Sequence, residues 1–239
     1  MAHGPHSRDP QLFAPAALPV LRTAAEELVW LRQRGYARDA ALKLVGDRHQ
    51  LRERQRTALA RATSEAASAA RRITRRVPLA APPPTRLLVD GFNQVITLET
   101  ALAGGVLVTT LDGGLRDLAG LHGTWRRGPH TARALELLAA RLRARGWERV
   151  PTRWLLDAPV SNSGRLAAEL RAAAAAEGLP WEAEVVPDPD PLLAAAAPDE
   201  VVASGDAPVL DRCPAWLDLA AEAVRALVPA AWVLELFPP

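Results

Sequence analysis

Cysteine is almost absent. Cys213 is the only one in 239 residues, which excludes a disulfide framework and any zinc site built on paired thiolates. Lysine is equally scarce: Lys43 is the one lysine among 29 basic residues, an imbalance that, with abundant Ala and Pro, fits a GC-rich coding sequence better than a function. No run of 18 apolar residues occurs, and the first 20 residues lack the charged-then-apolar plan of a signal peptide, so no membrane span and a cytoplasmic location are expected. There is no Gly-x-x-x-x-Gly-Lys-Ser/Thr phosphate loop, no Gly-x-Gly-x-x-Gly fingerprint and no Gly-x-Ser-x-Gly elbow. Nucleoside-triphosphate, dinucleotide and serine-hydrolase chemistries are therefore disfavoured.

What is present is an ordinary globular composition, 49% hydrophobic and 23% charged, with an uneven distribution of charge. Residues 20–80 carry fourteen Arg or Lys against six Asp or Glu, whereas residues 81–239 carry fourteen against twenty. A basic front joined to an acidic back implies that the front holds a polyanion.

Residues 1–19 contain Gly, Pro and two histidines and read as a disordered head. Residues 20–76 read as a small all-α module. Leu21, Ala24, Leu28 and Leu31 predict a helix over 20–34, stopped at Gly35; a short helix is expected over 37–45, ending at Gly46. A long third helix is expected over 51–76, with Ala58, Leu59, Ala62, Ala66, Ala69 and Ile73 as its apolar stripe. Arg48, His49, Arg52, Arg54 and Arg56 are dense in groups that fork onto phosphate or stack on bases, and the layout also fits a helix-turn-helix-like reader. The alternative is a solvated helix face whose charges do nothing specific. Residues 77–84, rich in proline, read as a semi-rigid spacer and domain boundary.

Over 85–239 the pattern alternates between short apolar runs and helical stretches, which predicts an α/β domain with a mainly parallel sheet covered on both faces. Strands are expected at Leu88, Val106–Thr110, Leu155, Val185 and Val201, with helices over 96–103, 131–145, 164–177 and 216–227. The final apolar run over 232–236 would suit an added strand or an interface between two copies. His122, Arg126 and Arg127 form a small basic cluster, either a clamp for substrate phosphate or partners for Asp112 and Asp117. The seven Trp read as packing rather than base-stacking platforms.

The sharpest signal is a repeated strand ending. Leu87-Leu88-Val89 breaks into Asp90-Gly91-Phe92-Asn93; Trp154-Leu155-Leu156 ends in Asp157; Glu184-Val185-Val186 leads to Asp188 and Asp190; Val201-Val202-Ala203-Ser204-Gly205 leads to Asp206. In open α/β sheets ligands gather at the carboxyl ends of the strands. One such acid is ordinarily a helix cap or turn residue. Several converging on one edge repel one another unless a cation lies between them.

Val89-Asp90-Gly91-Phe92-Asn93-Gln94-Val95-Ile96 resembles the opening of the NYN branch of PIN-like nucleases, and Asp157, Asp190 and Asp206 follow in the order of that group's later acids. The chain over 20–239 is also similar to a prokaryotic family, without an assigned reaction, in which an Arg-rich helical module precedes such a domain. The phrases that carry this likeness are Gly46-Asp47-Arg48-His49-Gln50-Leu51, Arg54-Gln55-Arg56 and Asp157-Ala158-Pro159-Val160-Ser161-Asn162-Ser163-Gly164-Arg165. The resemblance implies a PIN-like three-layer α/β fold and a metal-dependent ribonuclease. In that reading Asp90, Asp190 and Asp206 hold Mg²⁺ or Mn²⁺, Asp157 completes the site or orients the groups that do, and Asn93 bonds a ligand or the substrate phosphate. Hard oxygen donors suit these ions. RNA is the implied partner, with structured RNA such as tRNA included and DNA not excluded, and a homodimer is compatible. The sequence departs from the group at Pro189, where an alanine is usual, and at Ala207-Pro208 after Asp206. A metal-free PIN-like scaffold that binds nucleic acid through the helical module is the rival expectation.

Overall fold

In the computed structural model, which describes residues 4–119 and 123–237, the chain opens on α1 (Asp9–Leu12), a 3-10 turn (Pro15–Ala17) and α2 (Leu18–Gln33). The later part of the expected disordered head, from Asp9 on, is thus folded. Leu12 and Phe13 are buried, and the fully buried Asp9 accepts a two-pronged contact from Arg54 Nε and Nη2. An unpaired carboxylate could not sit in that place, so Arg54 and the head hold each other.

Next come α3 (Arg38–Arg48), α4 (Glu53–Ala62) and α5 (Ala66–Arg75). Gly46 lies inside α3 rather than ending it, and its smallness leaves room for the Arg56 guanidinium, which rests where a side chain would project. The long helix expected over 51–76 is broken at Thr63, whose backbone is extended and whose hydroxyl bonds the Leu59 carbonyl 2.8 Å away. Thr and Ser compete with the helix for backbone hydrogen bonds, a local effect that an apolar stripe does not register. Beyond the break the stripe rotates: Ala69 is buried but Ile73 is 53% exposed.

The α/β part runs β1 (Arg86–Asp90), α6 (Gly91–Leu102), β2 (Val106–Thr109), β3 (Leu115–Asp117), α7 (Thr131–Ala144), β4 (Thr152–Asp157), α8 (Ser163–Glu177) and β5 (Trp181–Val186). It continues with α9 (Asp190–Ala194), β6 (Glu200–Ala203), α10 (Ala207–Leu210), β7 (Trp216–Leu217), α11 (Leu219–Leu227) and β8 (Trp232–Leu234). The helix expected over 216–227 is two elements, since Trp216 and Leu217 first pair with Val202 and Ala203.

The main sheet has the order β5-β4-β1-β6-β7, and every neighbouring pair is parallel. The chain builds outward from β1 through β4 to β5, then returns to β6 on the other side of β1. The order therefore reverses at β1, and the crevice beyond the carboxyl ends of β4, β1 and β6 is the switch point where such sheets place ligands. A second sheet, β3-β2-β8, pairs β2 antiparallel to β3 and parallel to β8, so the C-terminal apolar run is an added strand. Gly91 is the first residue of α6, and its smallness serves a close approach: a β-carbon there would strike the Leu156 side chain on β4 and lie 3.1 Å from the Leu155 carbonyl.

The helical module is joined to this layer by packing as well as by chain. One apolar cluster combines Leu21, Leu28, Val45 and Leu59 with Val106, Val108, Leu118 and Leu234 of the second sheet region. The proline-rich segment is pinned: Val77 donates to the Trp216 carbonyl at 2.8 Å, and Arg145 Nη1 donates to that of Pro78 at 3.2 Å. Among the described residues no helix is long and apolar enough to cross a membrane.

At the seam, Arg72 (4% exposed) donates to both oxygens of Asp211 at 2.8 Å and to Asp112 at 2.9 Å, while its carbonyl accepts from Trp216 Nε1 at 2.7 Å. Burial alone would push the Asp112 carboxyl up, but the Thr110 hydroxyl and the Arg72 guanidinium hold it below its ordinary range. Replacing Arg72 by Met leaves Asp112 buried without its cation, and such losses cost about 3–5 kcal/mol. Chemical denaturation of Arg72→Met should show that deficit, and adding Asp112→Asn should recover part of it. A variant unfolding at the wild-type midpoint would refute this account of the seam.

Candidate active site

Asp90 ends the central strand and starts α6. Its Oδ1 accepts the Asn93 amide at 3.4 Å, so it is a helix cap, as the commonplace reading of one strand-end acid would have it. It is more than a cap. Its Oδ2 accepts the Ser204 hydroxyl at 2.8 Å, and Ser204 Oγ in turn accepts the Asp206 amide at 2.9 Å, tying the exits of β1 and β6 together. Asn93 lies in the first turn of α6 rather than in a loop. Its Oδ1 accepts from the Gly205 amide and from Gln94 Nε2, both at 2.8 Å, which leaves Nδ2 as the atom able to donate to a ligand.

The other acids converge on the same place. Asp90, Asp157, Asp190 and Asp206 line one pocket of 260 Å³ with Asn93, Phe92 and Trp125. Asp157 does not cap the following helix, which starts at Ser163, and Asp206 precedes α10 without a capping bond from its side chain. Of the two competing acids after β5, Asp188 accepts the Asp190 amide at 3.0 Å as a turn residue, whereas Asp190 lines the pocket. The Asp157–Gly164 phrase has a local role too. Asn162, at φ 66°, donates to the Trp125 carbonyl at 2.7 Å and fixes the wall opposite the acids.

Electrostatics register the crowding. Burial pushes the Asp90 carboxyl up to about 7, and the negative charges of Asp206 and Asp157 add to the rise against the hydrogen bonds from Ser204 and Asn93. Asp157 is raised by burial, then by Asp188 and Asp206; Asp190 is raised by burial, then by Asp206 and Asp188. Four oxygen-donor groups that repel one another match a hard divalent cation in kind. Their spacing is open: among the described residues no group of three or more His, Cys, Asp or Glu comes close enough to ligate a metal. The donor type suits Mg²⁺ or Mn²⁺ while the spacing is wider than that of a ligand set, and Asp157, Asp190 and Asp206 are half-exposed.

The basic residues are distributed differently from their order in sequence. Arg54 is spent on Asp9 and on the Leu118 carbonyl, and Arg56 on Asp47 and the Leu51 carbonyl. Arg48 and His49 both face Glu27, at 3.3 and 2.8 Å, and Arg52 and Arg126 are exposed. Arg127 pairs with Glu169 at 2.6 Å rather than with Asp112 or Asp117. His122 lies outside the described residues. Two groups not singled out from sequence also matter. Ser204 orients Asp90, and Arg116, on β3, brings its Nη2 to 4.0 Å from Asp206. Ser204 stood visibly in the Ser-Gly-Asp phrase; Arg116 carried no signal, since only the fold of β3 brings it beside Gly205.

Residues 20–75 match the family described as "Protein of unknown function (DUF434)", and residues 84–222 match "Domain of unknown function (DUF5616)". Neither description names a PIN or NYN domain. The chain is similar to "Uncharacterized protein MJ0935" of Methanocaldococcus jannaschii, 28% identical over 212 residues that make up 87% of this chain and 98% of that protein. No solved structure matches the chain. The carboxylate pocket is built wholly from the longer matched stretch, which spans more than half of the 239 residues, and the chain belongs to the DUF5616 domain family.

Proposed function

We propose that this protein is a metal-dependent ribonuclease of PIN-like design, hydrolysing phosphodiester bonds at the Asp90 pocket. The observation that carries the reading is the convergence of four carboxylates at a sheet switch point, with Arg116, 4.0 Å from Asp206, as the one cation within ion-pair distance of them among the described residues. The order of the acids along the chain and the parallel sheet with helices on its faces support the PIN-like assignment. Asp90, Asp190 and Asp206 would hold Mg²⁺ or Mn²⁺, with Asp157 completing the set. When bound, such a cation supplies charge neutralisation on the phosphate and a water of lowered pKa.

The chain's own residues do the rest. Ser204 holds the Asp90 carboxylate in one orientation, and Asn93 Nδ2 is placed to donate to a phosphate oxygen. Phe92 and Trp125 wall the pocket on its apolar side. The rival reading, a scaffold without catalysis, draws on the open spacing of the acids and on Pro189 at the start of α9.

Purified protein should cleave end-labelled single-stranded RNA or bulk tRNA in Mn²⁺ or Mg²⁺. EDTA should stop the reaction, and Asp90→Asn should slow it by roughly 10²–10³-fold, the scale for loss of one preorganised electrostatic group. Ser204→Ala, which removes only the group orienting Asp90, should cost about 10–100-fold. Silence on every substrate, with no Mn²⁺ binding by calorimetry, would favour the scaffold.

A second check needs no activity. Because the folded-state pKa of Asp90 lies above its ordinary 3.8, the native state binds the extra proton between about pH 4 and pH 7. That group's contribution to stability therefore falls as pH rises through this window. In EDTA the stability of Asp90→Asn relative to wild type should climb from pH 4 to pH 7 and then level off. Mn²⁺ at pH 8 should raise the melting temperature of the wild type and not that of the variant, since a ligand that binds only the native state stabilises it. A pH-independent difference would show that Asp90 is not held as described.

A further inference from the structure

Where the helical module meets the α/β layer there is a larger cavity, a cleft of 920 Å³, and it is continuous in lining with the carboxylate pocket: Asp206 belongs to both. Six arginines and five carboxylates face it. Several of these are committed to one another: Arg32 to Glu65 at 2.7 Å, and Arg72 to Asp112 and Asp211. Arg56 is held by Asp47. Arg38 and Arg61 are exposed and have no carboxylate within ion-pair distance among the described residues; Arg38 only donates to the Ala60 carbonyl at 3.2 Å.

The cleft also holds donors without acceptors. Arg116 is 7% exposed, yet its Nη1 has no hydrogen-bond partner among the described residues. Ser64 Oγ, on the break between α4 and α5, is buried and unpartnered as well. Leaving a buried polar group unpaired is unfavourable, and both of these are donors. Among the described residues no aromatic side chain lines the cleft, so bases would have nothing to stack on. Its volume is that of a ligand pocket, which admits part of a flexible strand and excludes the body of a duplex.

We propose that this cleft grips the sugar-phosphate backbone of a single nucleic-acid strand through Arg38, Arg61, Arg116 and Ser64, without reading its bases, and delivers it past Asp206 to the carboxylate pocket. The delivery half rests on the phosphodiester reading above; the grip does not. Arg116 is the group at the junction, deep in the cleft and beside Asp206, and the two exposed arginines are the outer contacts.

The test is fluorescence anisotropy of the full chain in EDTA with labelled oligouridylate, oligoadenylate and oligothymidylate over a range of salt. Each phosphate contact on a single strand contributes a slope of about 0.7 to the dependence of log affinity on log salt, or about fivefold at ~0.1 M. Arg38→Ala/Arg61→Ala should therefore flatten the slope by about 1.4 and weaken binding roughly twentyfold near 0.1 M salt. Arg116→Lys should bind more tightly than Arg116→Met; should the buried variants fail to fold, the exposed pair decides. Binding of ribo- or deoxyribo-strands in this manner supports the proposal, and binding of neither overturns it. Unchanged affinity in the double variant overturns it, as does a preference above about tenfold between oligouridylate and oligoadenylate, the scale on which base edges are read. If Mn²⁺-dependent cleavage is unaffected by the double variant, the cleft fails and the nuclease stands. If the strand is gripped as described and never cut, the nuclease fails and the cleft stands.

Discussion

A carboxylate buried at the end of the central strand is the constraint around which the rest of the molecule is arranged. Asp90 sits 8% exposed between β4 and β6, with acids from both neighbouring exits facing it. Placing it there needs a residue after it small enough to pass Leu156, a helix whose first turn offers a backbone amide, and a hydroxyl from the β6 exit. Gly91, Asn93 and Ser204 meet those needs in turn. Each is also coupled to another: Asn93 Oδ1 accepts the Gly205 amide, so the residue that caps onto Asp90 also positions the loop carrying Asp206. Gln94 extends the chain of contacts by accepting the Ala220 amide at 2.7 Å, which anchors α11 to α6.

The helical module is fixed to this site through the same loops. Arg72 on α5 grips Asp211, five residues beyond Asp206, and also Asp112 in the turn before β3. That turn leads to Arg116 on β3, which reaches back to Asp206. The module, the turn and the β6 exit are thus connected by the charge-assisted hydrogen bonds of Arg72, buried at Asp112 and part-buried at Asp211, and by the longer Arg116–Asp206 contact; such bonds are directional where apolar packing is not. Such a seam contributes less net stability than its contacts imply, because burying the charges costs nearly as much as pairing them returns. What it supplies is a defined placement of the basic helices relative to the acidic pocket.

Much of this was legible in the sequence, and the parts that were not have two causes. Strand-end acids stand out in one dimension because an apolar run stops abruptly, and the structure brings Asp90, Asp157, Asp190 and Asp206 to one pocket. Alternating runs gave the parallel sheet and most helices. Features governed by contacts distant in sequence were illegible. The head is folded where Asp9 meets Arg54, 45 positions away, and the glycine at 46 makes room for Arg56 instead of ending α3. The break at Thr63 depends on a local hydroxyl competition that the apolar stripe conceals. Arg116 entered the site only because β3 pairs with β2, which no periodicity in a three-residue strand could announce.

The arginine excess of the front of the chain deserves a discount for the same reason. Arg54 and Arg72 are structural ions, and most exposed pairs here, such as Arg48 with Glu27, are worth about 0–1 kcal/mol and bind nothing by themselves. The acids tell against a purely structural origin more firmly. Holding Asp90 near 7 instead of 3.8 forgoes on the order of 4 kcal/mol above neutral pH, a large fraction of a domain's 5–15 kcal/mol. An asparagine would avoid that cost but has a single acceptor oxygen, so it could accept from the Asn93 amide or from the Ser204 hydroxyl and not from both. The fold thus holds this carboxylate at a cost, which is the electrostatic ground for the proposal that its charge meets a ligand.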